Sequence, residues 1–226
     1  MASSGLRLWS SLAGLVFVVL AVMGSVLLFD GPSDSSPAKM TSWYQSSSNR
    51  AHVNIGWILV GLGLFALIWF VAALRERVRE SEQAAQEQGT FLSTIVLVGG
   101  TVYIALAMAG IAVSDGIKTM SDDTYQHQVY SGVIHAASDA SYLLVTTGGA
   151  AMGALIFATS IAIRRYAILP RWVSWFGFVA GVCAIASLMF FTMLLWLLWV
   201  AVASVLLFRA SRPEAAARRE PSAATS

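Results

Sequence analysis

The sequence predicts an all-α, polytopic transmembrane bundle of about six spans with both termini cytoplasmic. Three observations lead there. Hydrophobic residues make up 57% of the 226-residue chain and charged residues only 12%, a balance that belongs to integral membrane proteins. Apolar runs recur at 8–29, 54–74, 91–113 and 141–163, each near the roughly 20 helical residues that cross a hydrocarbon core. Threading the chain evenly puts Arg7, Arg75, Arg77, Arg79, Arg164, Arg165, Arg171, Arg209, Arg212, Arg218 and Arg219 on one side, and Lys39, Arg50 and Lys118 on the other. The positive-inside rule makes the arginine-rich side cytoplasmic, and the expected location is the plasma (inner) membrane. The net charge of +2 then reflects span ends meeting anionic headgroups, with no role for nucleic acid.

The first run, 8–29, is longer than a signal-peptide core and lacks a small-x-small cleavage site, so it reads as a retained span. The loop from Asp30 to Val53 starts as a coil of Gly, Ser and Pro and then offers Trp43 and Tyr44 as an interfacial anchor. Span two holds Gly56, Gly61 and Gly63 for close helix approach. Beyond it, Arg75 to Gln88 alternates charges, with Glu76 and Arg79 at helical spacing, and predicts a solvated cytoplasmic extension that Gly89 ends. Span three, 91–113, carries hydroxyls and glycines but no charge. Ser121, Asp122 and Asp123 then suit the start of a helix.

A helix running unbroken from Asp122 to Ile163 would be about 63 Å long, so it must project from the bilayer or break, with Gly132 and the Gly148–Gly149 pair as break points. The 37 residues from Trp172 to Phe208 would reach about 55 Å as one helix. A hairpin of two short spans, 172–187 and 190–208, fits better and keeps the C-terminal arginines inside. Residues 1–211 thus form one transmembrane domain, and the Ala, Arg, Glu and Ser composition of 212–226 predicts a disordered tail. The single Cys183 lies within an apolar span and supports no disulfide framework.

Pro170-Arg171-Trp172-x-x-Trp175-x-Gly177-x-x-x-Gly181, followed by two short apolar spans and an arginine-rich tail, resembles a large group of actinobacterial six-span membrane proteins of unknown function. The likeness covers about the last fifty residues. It implies a bacterial, multi-pass protein and brings no catalytic residue or cofactor with it. The same run has a direct physical reading, since Pro170 can start a helix, Arg171 meets headgroups and the tryptophans sit at the interface.

Candidate chemistry concentrates on one helical face from Ser121 to Arg165. Thr124, Gln128, Ser131, His135, Asp139, Tyr142 and Thr146 recur at helical spacing, followed by Gly149 and Gly153. The polar members form an expected ligand-binding set of Gln128, Ser131, His135, Asp139, Tyr142 and Thr146, facing a wet crevice or a packed interior. Gly149 and Gly153, with Gly177 and Gly181, have the small-x-x-x-small spacing of helix contacts. All three histidines, His52, His127 and His135, fall on the outer side, and His135 with Asp139 is an i, i+4 pair. That set could hold a divalent metal, against which stands the plainer expectation of a His–Asp hydrogen bond and no cofactor.

Ser131, His135 and Asp139 supply the residue types of a triad, yet side chains in line on one helix do not converge as nucleophile, base and orienter must. Small-solute transport is disfavoured because no ionisable residue lies near the centre of any predicted span and no convincing inverted repeat exists. By elimination the sequence points to a non-catalytic accessory or ligand-binding protein whose partners are membrane lipids or another membrane protein. An outer-face metal-dependent enzyme and a transporter are the alternatives. Trp43, Tyr44, Trp57, Tyr125 and Tyr130 suit such an outer surface.

Overall fold

The computed structural model describes residues 4–28, 37–86, 89–120, 131–187 and 190–217. They form helices α1 (Ser4–Leu28), α2 (Pro37–Gln45), α3 (Ser47–Ala84), α4 (Phe91–Met120), α5 (Ser131–Tyr166), α6 (Arg171–Ile185) and α7 (Phe190–Ala217), with no strand among the described residues. Five stretches are long and apolar enough to cross a membrane: Trp9–Leu28, Ser47–Ala84, Phe91–Gly116, Gly132–Tyr166 and Thr192–Ser211. This is the build of an integral membrane protein. The apolar α6, at 15 residues, reaches only about 22 Å.

The six longer helices close into a ring, each packed on the next: α1 on α3, α3 on α4, α4 on α5, α5 on α6, α6 on α7, and α7 back on α1. Large apolar side chains point out from every member, among them Val19, Phe65, Val98, Leu143, Val182 and Leu198. Apolar surface all the way round a ring is suited to lipid and not to water. The centre is filled by the Trp196 side chain of α7, whose ring stacks on Phe17 of α1 with centroids 6.2 Å apart and meets the edge of Tyr103 of α4 at 5.4 Å.

Without water to compete, hydroxyl and indole groups tie the helices together. Leu15 N–H of α1 donates to Ser204 Oγ of α7 at 3.0 Å, and that hydroxyl donates onward to the Ser11 carbonyl. Ser174 Oγ of α6 donates to the Ser160 carbonyl of α5 at 2.8 Å, and Trp199 Nε1 of α7 donates to the Val173 carbonyl of α6 at 3.3 Å.

Glycines set the closest approaches. A β-carbon on Gly99 would lie 2.6 Å from the Ala151 carbonyl, and one on Gly24 would lie 2.6 Å from the Gly56 carbonyl. One on Gly149 would strike the Ala184 carbonyl, and one on Gly153 would lie 3.0 Å from the Gly181 carbonyl. Gly177 leaves no room beside Ser160 Oγ and Trp199 Nε1, and Gly181 sits beneath the Phe157 ring. Gly149, Gly153, Gly177 and Gly181 therefore all lie along one α5–α6 seam.

Gly149→Ala is expected to cost about 1–3 kcal/mol, because backbone on the far side cannot yield. Gly61→Ala, with nothing within 4 Å of the new carbon, should instead stabilise α3 by up to about 1 kcal/mol through helix propensity. Unfolding in mixed micelles reads both, and equal effects of the two would contradict the seam.

Four expectations are corrected. Helix α5 is continuous through Gly148 and Gly149, since these glycines face Tyr103 of α4 and Ala184 of α6, and a break inside lipid would strand backbone groups. In the loop before span two the expected coil at 30–36 lies outside the described residues, Trp43 and Tyr44 sit on α2, and α3 starts at Ser47, ahead of the expected boundary near 54. Helix α3 stops at Ala84, where Gln86 adopts a left-handed φ of 54°, before reaching Gly89. Its charged extension is one-sided, with Glu76–Arg79 and Arg77–Glu80 pairs at 3.8 Å, while Val78 and Glu82 are buried. Helix α6 ends at Ile185 and α7, packed on it, begins at Phe190, with residues 188 and 189 of the expected hairpin outside the described residues.

Candidate functional site

The polar stripe changes environment along α5. At its start Ser131 is the first helical residue, and Thr124, His127 and Gln128 lie outside the described residues. His135, Asp139 and Tyr142 are exposed, Tyr142 to 46%. Thr146 is buried and donates to the Tyr142 carbonyl of its own helix at 2.9 Å, which satisfies the hydroxyl without a ligand. Gly149 and Gly153 are then covered by α6.

The length of α6 causes this change. It starts beside the basic end of α5, where Ser174 bonds to the Ser160 carbonyl, and it ends beside Gly149. Ser141, whose carbonyl abuts Gly110 of α4, lies eight residues further along α5, about 12 Å. Past Gly149 the stripe is still buried at Thr146, and it opens only at Tyr142, Asp139 and His135. The result is a ledge of His135, Asp139 and Tyr142 above the α6–α7 hairpin.

Helix α2 flanks this end, packed on α3 and α5. Its Tyr44 packs, together with Ala137, against the buried Ile134 of α5 and stacks edge-on against Trp43, centroids 5.0 Å apart. Burial pushes the Tyr44 hydroxyl above its ordinary pKa, because the phenolate would be desolvated there. Arg50 Nη1 donates to the Tyr44 and Gln45 carbonyls at 2.9 and 2.7 Å, and Asn49 Nδ2 to the Trp43 carbonyl at 3.0 Å. These bonds satisfy the carbonyls that the end of α2 leaves open. Arg50 is thus a helix cap.

His135 and Asp139 form no hydrogen bond with each other. A basic residue placed before an acidic one is the weaker order along a helix, and both side chains are free to turn into solvent. His52 is exposed on α3. Among the described residues no three His, Cys, Asp or Glu side chains gather as a metal site, and His127 lies outside them. The expected set of His52, His127, His135 and Asp139 is therefore not assembled in the described part.

Two features at the basic end went unnoticed in the sequence. Glu82, only 1% exposed, reaches from the end of α3 to the start of α4, where its Oε1 accepts from Leu92 N–H at 2.7 Å and Ser93 N–H at 3.4 Å. A cavity of about 320 Å³ opens where α5 hands over to α6, lined by Arg164, Arg171, Ser174 and Trp175. The spacing of Arg164, Arg171 and Trp175 was visible, but their convergence depends on the turn at Ala167 to Pro170.

Comparison of the chain with protein families, with curated proteins and with solved structures returned no match.

Proposed function

We propose that this is a non-catalytic, ligand-binding protein of the plasma membrane that crosses six times, with α6 and α7 as a short re-crossing pair and both ends cytoplasmic. On this reading the ledge of His135, Asp139 and Tyr142 lies at the outer surface and binds a lipid headgroup or a loop of a partner membrane protein. The observation that carries it is the shortness of α6, which ends beside Gly149 and leaves three polar side chains uncovered on α5. A donor–acceptor group between aromatic residues at a membrane mouth suits an amphiphilic ligand. The aromatic plug of Phe17, Tyr103 and Trp196 across the ring centre favours binding over a through-path.

Orientation is tested in a Cys183→Ala background. A membrane-impermeant maleimide should label Ser48→Cys in intact cells and reach Gln83→Cys only after lysis; the reverse pattern would sink the orientation. Binding is tested by native mass spectrometry of gently extracted protein. The wild type should carry a stoichiometric lipid or protein adduct that is lost on changing His135, Asp139 and Tyr142 together to alanine, with no change in membrane insertion. A metal-mass adduct that disappears on His135→Ala would replace this reading with a metal centre.

A further inference from the structure

The α5–α6 connection brings two arginines to one cavity, and the structure shows no carboxylate paired with either among the described residues. Helix α5 ends at Tyr166, where Ala167 takes a left-handed φ of 54° and its N–H donates to the Ile163 carbonyl at 3.0 Å. The chain reverses within four residues, and Arg171 opens α6. Arg164 and Arg171 thereby flank one cavity of about 320 Å³ together with Ser174 and Trp175, within the range of roughly 300–1,000 Å³ for small-ligand sites.

The Arg164 guanidinium carbon sits 4.8 Å from the centre of the Trp175 ring, so the indole holds the planar fork while its N–H edges stay available. No acidic residue occurs between Asp139 and Glu214. Among the described residues neither Arg164 nor Arg171 pairs with a carboxylate. Two guanidinium groups at one cavity repel each other when no carboxylate pairs with them, and an anion with several oxygens relieves that. The N-terminus of the 15-residue α6 adds its positive dipole end at the same place. Trp175, 62% exposed, and Trp172, 54% exposed, put an aromatic rim beside it, as at the headgroup level of a bilayer.

We propose that this cavity binds a phosphate group, and that its source is the headgroup of an anionic phospholipid lying against α5 and α6. The inference requires these helices to be embedded in a membrane and is independent of what the ledge at the other end binds or which side each end faces. Arg164 and Arg171 grip the phosphate oxygens as forks, and Trp175 holds Arg164 in place while it flanks the glycerol. The acyl chains follow the apolar outer face of α6 along Val179 and Val182, both exposed.

The test titrates purified full-length protein in neutral detergent with phosphatidylglycerol, with phosphatidylcholine and with inorganic phosphate, following the thermal unfolding midpoint. Phosphatidylglycerol should stabilise the wild type at lower concentration than phosphatidylcholine. Its half-saturation should weaken about fivefold on Arg164→Gln or Arg171→Gln and roughly thirtyfold in the double variant, at about 1 kcal/mol per arginine. Arg209→Gln, an exposed arginine at the same end, should titrate as wild type. Saturation by inorganic phosphate as readily as by the lipid, with the same dependence on the two arginines, would keep the phosphate site and make its source a soluble anion. Equal titration of the wild type and the double variant, or an equal loss in Arg209→Gln, overturns the site. Both arginines are exposed, so the variants should fold, and unchanged midpoints without ligand check this.

Discussion

Trp196→Ala is expected to destabilise the bundle by about 3–5 kcal/mol, the usual cost of emptying a large aromatic site. Trp196 is 1% exposed and is the piece that α1, α4 and α7 share, through its contacts with Phe17 and Tyr103. Lipid tails cannot substitute for it from outside the ring, so the loss appears as missing dispersion contacts. Its indole Nε1 is buried with no hydrogen-bond partner in the structure. Trp196→Phe therefore removes an unsatisfied donor while keeping a ring, and its cost should be well below that of alanine. Unfolding in mixed micelles compares the two variants. Equal losses would mean that the ring, as opposed to its nitrogen, is not what holds the centre.

Glu82→Ala should cost about 1–3 kcal/mol, the penalty for leaving buried donors unsatisfied. At the start of α4 the Leu92 and Ser93 N–H groups have no partner within their own helix, and Glu82 Oε1 supplies one from α3. Removing it leaves buried donors unpaired. Glu82→Gln retains an acceptor oxygen and should lose less, whereas Glu80→Ala, in a partly exposed pair with Arg77, should change stability by no more than about 1 kcal/mol. Hydrogen exchange at Leu92 and Ser93 should speed up in Glu82→Ala alone. Unchanged exchange there would remove the capping role.

The residues differ in how far the sequence exposes their roles. Gly149, Gly153, Gly177 and Gly181 are legible as packing positions because four-residue spacing puts small residues on one helix face; that they meet each other across α5 and α6 is not. Glu82 is illegible: it is one of several acids in the alternating run after Arg75, which reads as a solvated face. Its burial follows only once the chain reverses and brings Leu92 back beside it. Trp196 is equally hidden, since apolar residues surround all sides of α7 and no face is marked as inward. His135 and Asp139 stand out as a pair by spacing, yet their exposure depends on where a helix more than thirty residues later stops.

The sequence by itself determined that the chain is helical, that long apolar stretches can cross a membrane, that basic residues collect at their ends and that the last apolar region folds back on itself. Those properties are local, because the cost of exposing a backbone or a charge to hydrocarbon is set residue by residue. Only the tertiary structure decided that the helices close into a ring, that Trp196 fills it, that Glu82 caps α4, that α6 stops beside Gly149 and that Arg164 and Arg171 share a cavity. In lipid the apolar faces of a helix are nearly equivalent to one another, so the choice among them rests on close packing and a few hydrogen bonds between segments far apart in the chain.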